Sequence, residues 1–143
     1  MSCFNFLYPI TITEGGTFSQ KFQWKSGNPL SPVDITGYTS KMQIRVKLTD
    51  AAPLIEIPHT LEEWAPDGKT GLYLYAPESG IYLVYINDAN TLGLCAQRKD
   101  VAGIYNLFLY SPAGESVFRQ YGPATILAAA ALRAMGRLMT EPM

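Results

Sequence analysis

The strongest constraint on the fold of this chain is a run in which apolar and polar side chains alternate. From Tyr38 to Leu48 the even positions are Tyr, Ser, Met, Ile, Val and Leu, and the odd positions are Thr, Lys, Gln, Arg and Lys. Successive side chains of a strand point to opposite faces, so a period of two predicts a strand. One face packs on a core. The other face, with Lys41, Arg45 and Lys47, is cationic and meets water or a partner, and a solvated face is the simpler interpretation.

A tight turn precedes this strand. Asp34 can accept a hydrogen bond from the backbone at Thr36 in an Asx-type turn, and Gly37 can adopt a positive φ. Tyr38 then begins the buried face. We expect Asp34, Thr36 and Gly37 to have a structural role and not to form a binding site.

Composition limits the classes of protein to which this chain can belong. Its 143 residues are 48% hydrophobic, enough for one domain with a core that needs no disulfide or metal. The formal net charge of −1 argues against a protein that binds nucleic acid by neutralising phosphates.

The sequence contains few residues that could bind a metal ion or carry out redox chemistry. Cys3 and Cys95 lie far apart without a CxxC motif, and His59 is the only histidine, so we expect no metal and no cofactor. A disulfide between the two cysteines remains possible but is not needed. The segment from Met1 to Phe6 lacks the basic region of a secretory signal, and the apolar run from Ala124 to Leu132 is too short to span a bilayer. We therefore expect synthesis in a reducing cytoplasm and no membrane contact.

Turn signals rich in Gly, Pro, Asn and Asp divide the chain into short pieces. Pieces rich in β-branched and aromatic residues predict strands. We place these near Leu7–Thr13, Thr17–Trp24, Tyr38–Leu48, Leu54–Ile57, Gly71–Tyr75, Ile81–Ile86, Gly103–Tyr110 and Ser116–Tyr121. This pattern predicts a mainly β protein, an antiparallel β-sandwich of the immunoglobulin-like or a similar type, with a short C-terminal helix.

Two strands suggest how the core is composed. Phe18, Phe22 and Trp24 alternate with polar residues, which makes their strand a candidate sheet partner of the Tyr38–Leu48 strand. The run Ile81–Ile86 is apolar on both faces. Such a strand is either central in a sheet or covered by another protein chain, and a central position is the simpler interpretation.

The C-terminal segment departs from the β pattern. Ile126 to Met139 consists of strong helix formers, which predicts a terminal helix, although Pro123–Leu127 could first complete a last strand. We divide the chain into a sandwich domain, 1–126, and a helical tail, 127–143. A short helix is marginal alone, so we expect the tail to pack on another protein chain. Its candidate interface residues are Leu127, Leu132, Met135, Leu138 and Met139.

No set of residues predicts catalysis. His59 follows a proline in a predicted loop, without a G-x-S-x-G elbow. Glu62 and Glu63 are adjacent and would diverge, and with Asp67 they form a solvated loop more readily than an acid and base pair. Gly68-Lys69-Thr70-Gly71 lacks the first glycine of a P-loop. We expect no catalytic residue and no enzyme activity.

The segment Ser31–Arg45 reads SPVDITGYTSKMQIR. It resembles a "P-V-D-L-T-G-Y" turn that opens a strand ending in Q-I-R in small β-rich virion proteins of tailed bacteriophages, including baseplate-type proteins. Later segments are similar to that family in the same order. They are its glycine-led strand at Ser79–Ile86, its following turn at Asn90–Leu92, its Tyr-Asp-Leu strand at Gly103–Leu109 and its final glycine-led strand at Gly122–Ile126. The resemblance covers Thr11 to Ile126, with Asn106 where an acid is usual and no counterpart of the alanine-rich tail.

The resemblance implies a non-enzymatic structural protein of a tailed phage particle, in the tail, baseplate or neck. It implies other virion proteins as partners, a homo-oligomer around a symmetry axis, and no nucleic acid. Nine tyrosines and two tryptophans keep a second class open, because aromatic side chains stack on sugars and anchor interfaces. That class is a receptor- or glycan-binding module at the tail tip, or a capsid decoration protein.

Overall fold

The computed structural model describes residues 4–47, 49–60, 68–95 and 99–128. Within these ranges the chain forms strands, one 3₁₀ turn at Pro77–Ser79 and one short helix, α1, at Asp88–Thr91. The strands are β1 (Phe4–Leu7), β2 (Ile10–Thr13), β3 (Phe18–Gln23), β4 (Lys25–Ser26), β5 (Ser31–Pro32), β6 (Thr39–Arg45), β7 (Ile55–Ile57), β8 (His59–Thr60), β9 (Gly71–Ala76), β10 (Ile81–Ile86), β11 (Val101–Tyr110) and β12 (Ser116–Leu127).

The strands form two main sheets and a small hairpin. The larger sheet has the order β1-β12-β11-β6-β7, and β2 also pairs with β12. The smaller sheet has the order β3-β10-β9-β8, and β4 pairs with β5. The inward faces of the two main sheets share one apolar core. The predicted β-sandwich is therefore confirmed, but its main sheets are mixed and not purely antiparallel, because β1 and β2 run parallel to β12 and β8 runs parallel to β9. Its strand order follows the immunoglobulin plan, with β3, β10 and β9 in one sheet and β12, β11 and β6 in the other.

The first predicted strand is in fact two strands. The sequence predicted Leu7–Thr13, but β1 and β2 are separated by Tyr8 and Pro9, and both run parallel to β12. Pro9 has no N–H for a ladder hydrogen bond. Opposite the break lies Gly122, where a Cβ atom would be only 2.7 Å from the carbonyl oxygen of Tyr8. The two backbones approach so closely here that no side chain fits at position 122.

The predicted pairing of the Phe18–Trp24 strand with the Tyr38–Leu48 strand is wrong. β3 pairs with β10, and β6 lies between β11 and β7 in the other sheet. The apolar faces of both strands do contribute to one core, because the two sheets face each other. Alternation determines which face of a strand is buried but does not identify the neighbouring strand. β10 lies between β3 and β9, as expected for a central strand.

The last strand is longer than Ser116–Tyr121. It continues through Pro123 to Leu127, as the alternative interpretation allowed, and the backbone N–H of Glu14 donates to the Leu127 carbonyl at 2.9 Å. Ala128 is buried behind it. The sandwich thus reaches past residue 126 into the segment assigned to the tail. The predicted helix beyond Ala128 lies outside the described residues.

A chain of buried hydrogen bonds crosses the core from one sheet to the other. The hydroxyl of Tyr82 on β10 donates to Oε1 of Gln120 on β12 at 2.5 Å. Nε2 of Gln120 donates to the Tyr105 hydroxyl at 3.0 Å, and this hydroxyl donates to the Tyr8 carbonyl at 2.5 Å. Gln120 is fully buried, so a missing partner would leave a desolvated polar atom. These bonds connect both sheets to the break between β1 and β2.

Burial keeps the two phenols protonated. It raises the pKa of Tyr82 far above its ordinary value and that of Tyr105 to about 12. Both hydroxyls therefore remain hydrogen-bond donors throughout the physiological pH range.

Removing one partner from this chain should destabilise the sandwich. We expect Tyr82→Phe to lower the free energy of unfolding by about 1–3 kcal/mol, because Gln120 then loses a donor in the core. Tyr82→Phe combined with Gln120→Leu should cost less than the sum of the single changes, because both ends of the bond disappear together. Urea unfolding measures all of these variants. Tyr110→Phe, at a half-buried phenol outside the core, is the control, and a loss as large as that of Tyr82→Phe would contradict the role of the buried bond.

Candidate functional site

The larger sheet presents a broad surface that points away from the core. Alternate residues of β6, β11 and β12 face inward and are buried, so the residues between them face outward. We call this surface the outer face and define it by its central side chains. These are Lys41, Gln43 and Arg45 of β6, Glu56 of β7, Ile104, Asn106, Phe108 and Tyr110 of β11, and Arg119 and Tyr121 of β12.

Arg119 organises one part of the outer face. Its Nε donates to Oδ1 of Asn106 at 2.9 Å, and its guanidinium lies 4.2 Å from the ring centroid of Tyr121. The register explains both contacts, because Arg119 is opposite Phe108 and Tyr121 is opposite Asn106. A guanidinium held by an amide and an aromatic ring loses little further conformational freedom when a partner binds.

Gln43 organises a second part of the same surface. It accepts a hydrogen bond from Arg45 Nη2 at 3.0 Å and donates to Oε2 of Glu56 at 3.2 Å. Arg45 also donates through Nη1 to the backbone carbonyl of Asp50 at 2.7 Å. These bonds hold three long side chains on neighbouring strands β6 and β7 in one arrangement.

The composition of the outer face resembles the composition of protein interfaces. Interface cores are enriched in aromatic residues and Arg, and depleted in Lys, Glu and Asp. Here the rings of Phe108 and Tyr110 lie 6.1 Å apart, and Tyr121 stacks with Arg119. The three cationic side chains of this surface outnumber its one carboxylate, Glu56. The arrangement suits a flat protein contact, and it contains no arrangement of a nucleophile with a base.

The sequence pattern indicated only part of this surface. It placed Lys41, Arg45 and Lys47 on one strand face, but β6 ends at Arg45. It missed Asn106, Phe108, Arg119 and Tyr121, because these residues share a surface only through the register of β11 with β12 and β6. The alternation of β11 and β12 was the available signal, but alternation alone does not show which strands are adjacent.

The turn before β6 has the geometry that the sequence suggested. Asp34 Oδ1 accepts hydrogen bonds from the backbone N–H of Thr36 at 2.9 Å and from its hydroxyl at 2.6 Å, and Gly37 has a φ of 81°. Both bonds lower the pKa of the Asp34 carboxyl, and the bond from the Thr36 hydroxyl has the larger effect. Between Asp34 and Thr36, Ile35 is fully buried, and its N–H donates to the Pro77 carbonyl at 2.8 Å. The turn thus joins the two sheets at one end of the sandwich.

Of the candidate interface residues in the tail, only Leu127 is described. It is half-buried at the end of β12, where it pairs with Thr13 of β2. Leu132, Met135, Leu138 and Met139 lie outside the described residues.

His59 does not lie in a loop, which corrects the prediction from sequence. Pro58 carries the chain directly from β7 in one sheet to β8 in the other, and His59 begins β8. Its Nδ1 and the buried Ser40 Oγ of β6 form a hydrogen bond of 2.7 Å between the two sheets. Nε2 is also buried and has no hydrogen-bond partner within the described part of the chain, and burial lowers the pKa of the ring. The pair closes one side of the sandwich, and the burial of Ser40 and of Nε2 does not suit a nucleophile that must meet a substrate.

The described ranges contain neither a metal-binding cluster nor a membrane-spanning helix. No group of three or more His, Cys, Asp or Glu residues there could hold a metal ion. Cys95 is a free, buried thiol. No helix in the described ranges has the length and hydrophobicity needed to cross a membrane. Glu62, Glu63 and Asp67 lie outside these ranges.

Neither the models of known protein families nor the sequences of curated proteins match this chain.

The turn at Gly37 should contribute to stability. A Cβ atom there would lie 3.5 Å from Pro112, an ordinary contact, so the cost of Gly37→Val comes from the positive φ. We expect a loss of about 1–3 kcal/mol in the free energy of unfolding, measured by denaturant titration. A Gly37→Val protein of full stability that lost only its binding to partners would show instead that the turn is a binding site.

His59 should make stability depend on pH. Its pKa in the folded state lies below the ordinary value of 6.5, so the unfolded state binds more protons between the two values. The contribution of His59 to stability is therefore fully present above its ordinary pKa. This contribution is lost as the pH falls through the lower pKa of the folded state. We expect His59→Gln to reduce this decrease when unfolding is measured at about pH 7.5 and about pH 5.5. An unchanged difference between the two pH values would assign the effect to other groups.

Proposed function

We propose that this chain is a non-enzymatic structural component of a tailed bacteriophage particle. In this proposal the sandwich sits in the tail, baseplate or neck, repeats around a symmetry axis and bridges neighbouring virion proteins. The outer face carries the proposal, because its side chains are held by one another and its composition suits a protein contact.

The places of the phage-like motifs in the fold support the same proposal. The motif at Ser31–Arg45 supplies the turn and β6, and the glycine-led motifs supply β10, most of β11 and the second half of β12. These strands include three neighbours in the larger sheet, β12, β11 and β6. The residues that carry the resemblance therefore supply most of the β6 and β11 side chains of the outer face, whereas Arg119 and Tyr121 of β12 precede the last motif.

The tail is the second proposed contact. Residues 129–143 contain Leu132, Met135, Leu138 and Met139, which would form an exposed apolar set unless another surface covered them. We propose that another virion protein or another copy of this chain covers them.

Purified particles provide the test. Particles from the source strain should contain this chain in a fixed copy number, measured by quantitative mass spectrometry, and a cryo-electron microscopy map should place it in the tail, baseplate or neck. Density on the capsid surface would instead indicate a decoration protein, and density at the tail tip with saturable binding to host cells would indicate a receptor-binding module. Complete, infective particles that lack the chain would contradict a structural role.

Truncation after Ala128 tests the role of the tail. We choose this site because Leu127 and Ala128 belong to the sandwich. The shortened chain should remain folded and soluble, with a melting temperature close to that of the full chain, and should no longer enter particles. A shortened chain that unfolds or aggregates would show that the tail belongs to the core of its own sandwich.

A further inference from the structure

The charges on the surface of the sandwich are divided between two regions. The outer face carries the cations Lys41, Arg45 and Arg119 and the single carboxylate Glu56. The chain as a whole has a net charge of −1, so acidic groups must predominate elsewhere. Each copy of the chain therefore has one basic surface, and its excess of acidic groups lies in other regions.

One end of the sandwich is acidic. Three connections meet there: the turn at Asp34, the 3₁₀ turn Pro77–Ser79, and the β11–β12 connection. Ile35 N–H donates to the Pro77 carbonyl, and Gly37 lies against Pro112, which fixes the three connections together. They carry the carboxylates Asp34, Glu78 and Glu115, all exposed. Lys25 is an exposed cation close to this end, because the backbone N–H of Trp24 donates to the Gly80 carbonyl. We call this region the acidic end.

Like charges disfavour a symmetric contact between two outer faces. Two such faces together carry six cations and two carboxylates, and like charges in an interface are costly. The acidic end of another copy is complementary to the outer face. Its carboxylates lie on exposed connections, and the cations of the outer face lie on a flat sheet.

The sizes of the two surfaces allow this contact. The larger sheet is five strands wide and β11 is ten residues long. Because β7 has only three residues and β6 seven, strand spacings give an outer face of about 600 Å², less than one partner buries in an interface of standard size. The end of two stacked sheets is smaller, about 500 Å², so the contact falls at the weak end of specific interfaces.

We propose that the outer face of one copy binds the acidic end of a second copy. Such a contact joins two different surfaces, so it continues from copy to copy and builds a ring or a filament. The inference rests on the proposed structural role, which it deepens by naming the neighbour of the outer face. Because the contact is electrostatic, salt should weaken it.

Charge reversal with the purified full chain tests the proposal. The face variant is Lys41→Glu with Arg119→Glu, and the end variant is Glu78→Lys with Glu115→Lys. Asp34 is left unchanged because it forms the turn. Lys21→Glu with Lys99→Glu reverses two exposed cations in other regions and is the matched control. Because Arg119 also donates a hydrogen bond to Asn106, its replacement could disturb the fold, so Lys41→Glu alone serves as a second face variant. Melting temperatures verify that every variant is folded.

Sedimentation velocity at concentrations up to about 1 mM and low salt measures self-association, since a contact of this size is expected to be weak. The wild type and the control should associate, and about 0.5 M salt should weaken them. Each reversed variant alone should be a monomer or associate at least about tenfold more weakly. An equimolar mixture of the folded face and end variants should associate again, because each then offers the charge that the other lacks.

A wild type that stays monomeric throughout this range overturns the inference, as does a mixture of folded variants that fails to associate. These results leave the proposed structural role intact if particles still contain the chain. Conversely, self-association of a chain that no particle contains would overturn the structural role and not the contact between copies.

Discussion

The buried hydrogen-bond chain from Tyr82 through Gln120 and Tyr105 to the carbonyl of Tyr8 is the interaction on which the sandwich most depends. It joins the smaller sheet to the larger one and ends where β1 gives way to β2. An apolar core tolerates small shifts between its sheets, whereas a buried amide that needs both partners does not. The network therefore specifies how the two sheets are aligned.

The same strand carries the core network and the candidate interaction surface. On β12, Gln120 points inward to the tyrosines, while its neighbours Arg119 and Tyr121 point outward. A register slip of one residue would exchange these sides and destroy both at once. The polar core thus supports a fixed arrangement of the cation and the ring on the outer face.

Two connections between sheets define the remaining surfaces. Pro58 takes the chain from β7 to β8, where His59 bonds to Ser40 and closes one side. The turn at Asp34 and Ile35 meets Pro77 and positions the exposed carboxylates of the acidic end. The cationic outer face and the acidic end are the two surfaces that the proposed contact between copies would join.

Local patterns in the sequence determined the class of the fold, most strand positions, the Asx turn at Asp34 and the glycine at its positive φ. These features depend on neighbouring residues alone, so periodicity and turn chemistry identify them. Only the tertiary structure decided that β3 and β6 lie in different sheets, that Pro9 divides the first strand, and that Arg119 meets Asn106. Alternation shows which side of a strand is buried. Strand order and register depend on how the whole core packs, so a local sequence pattern does not predict them.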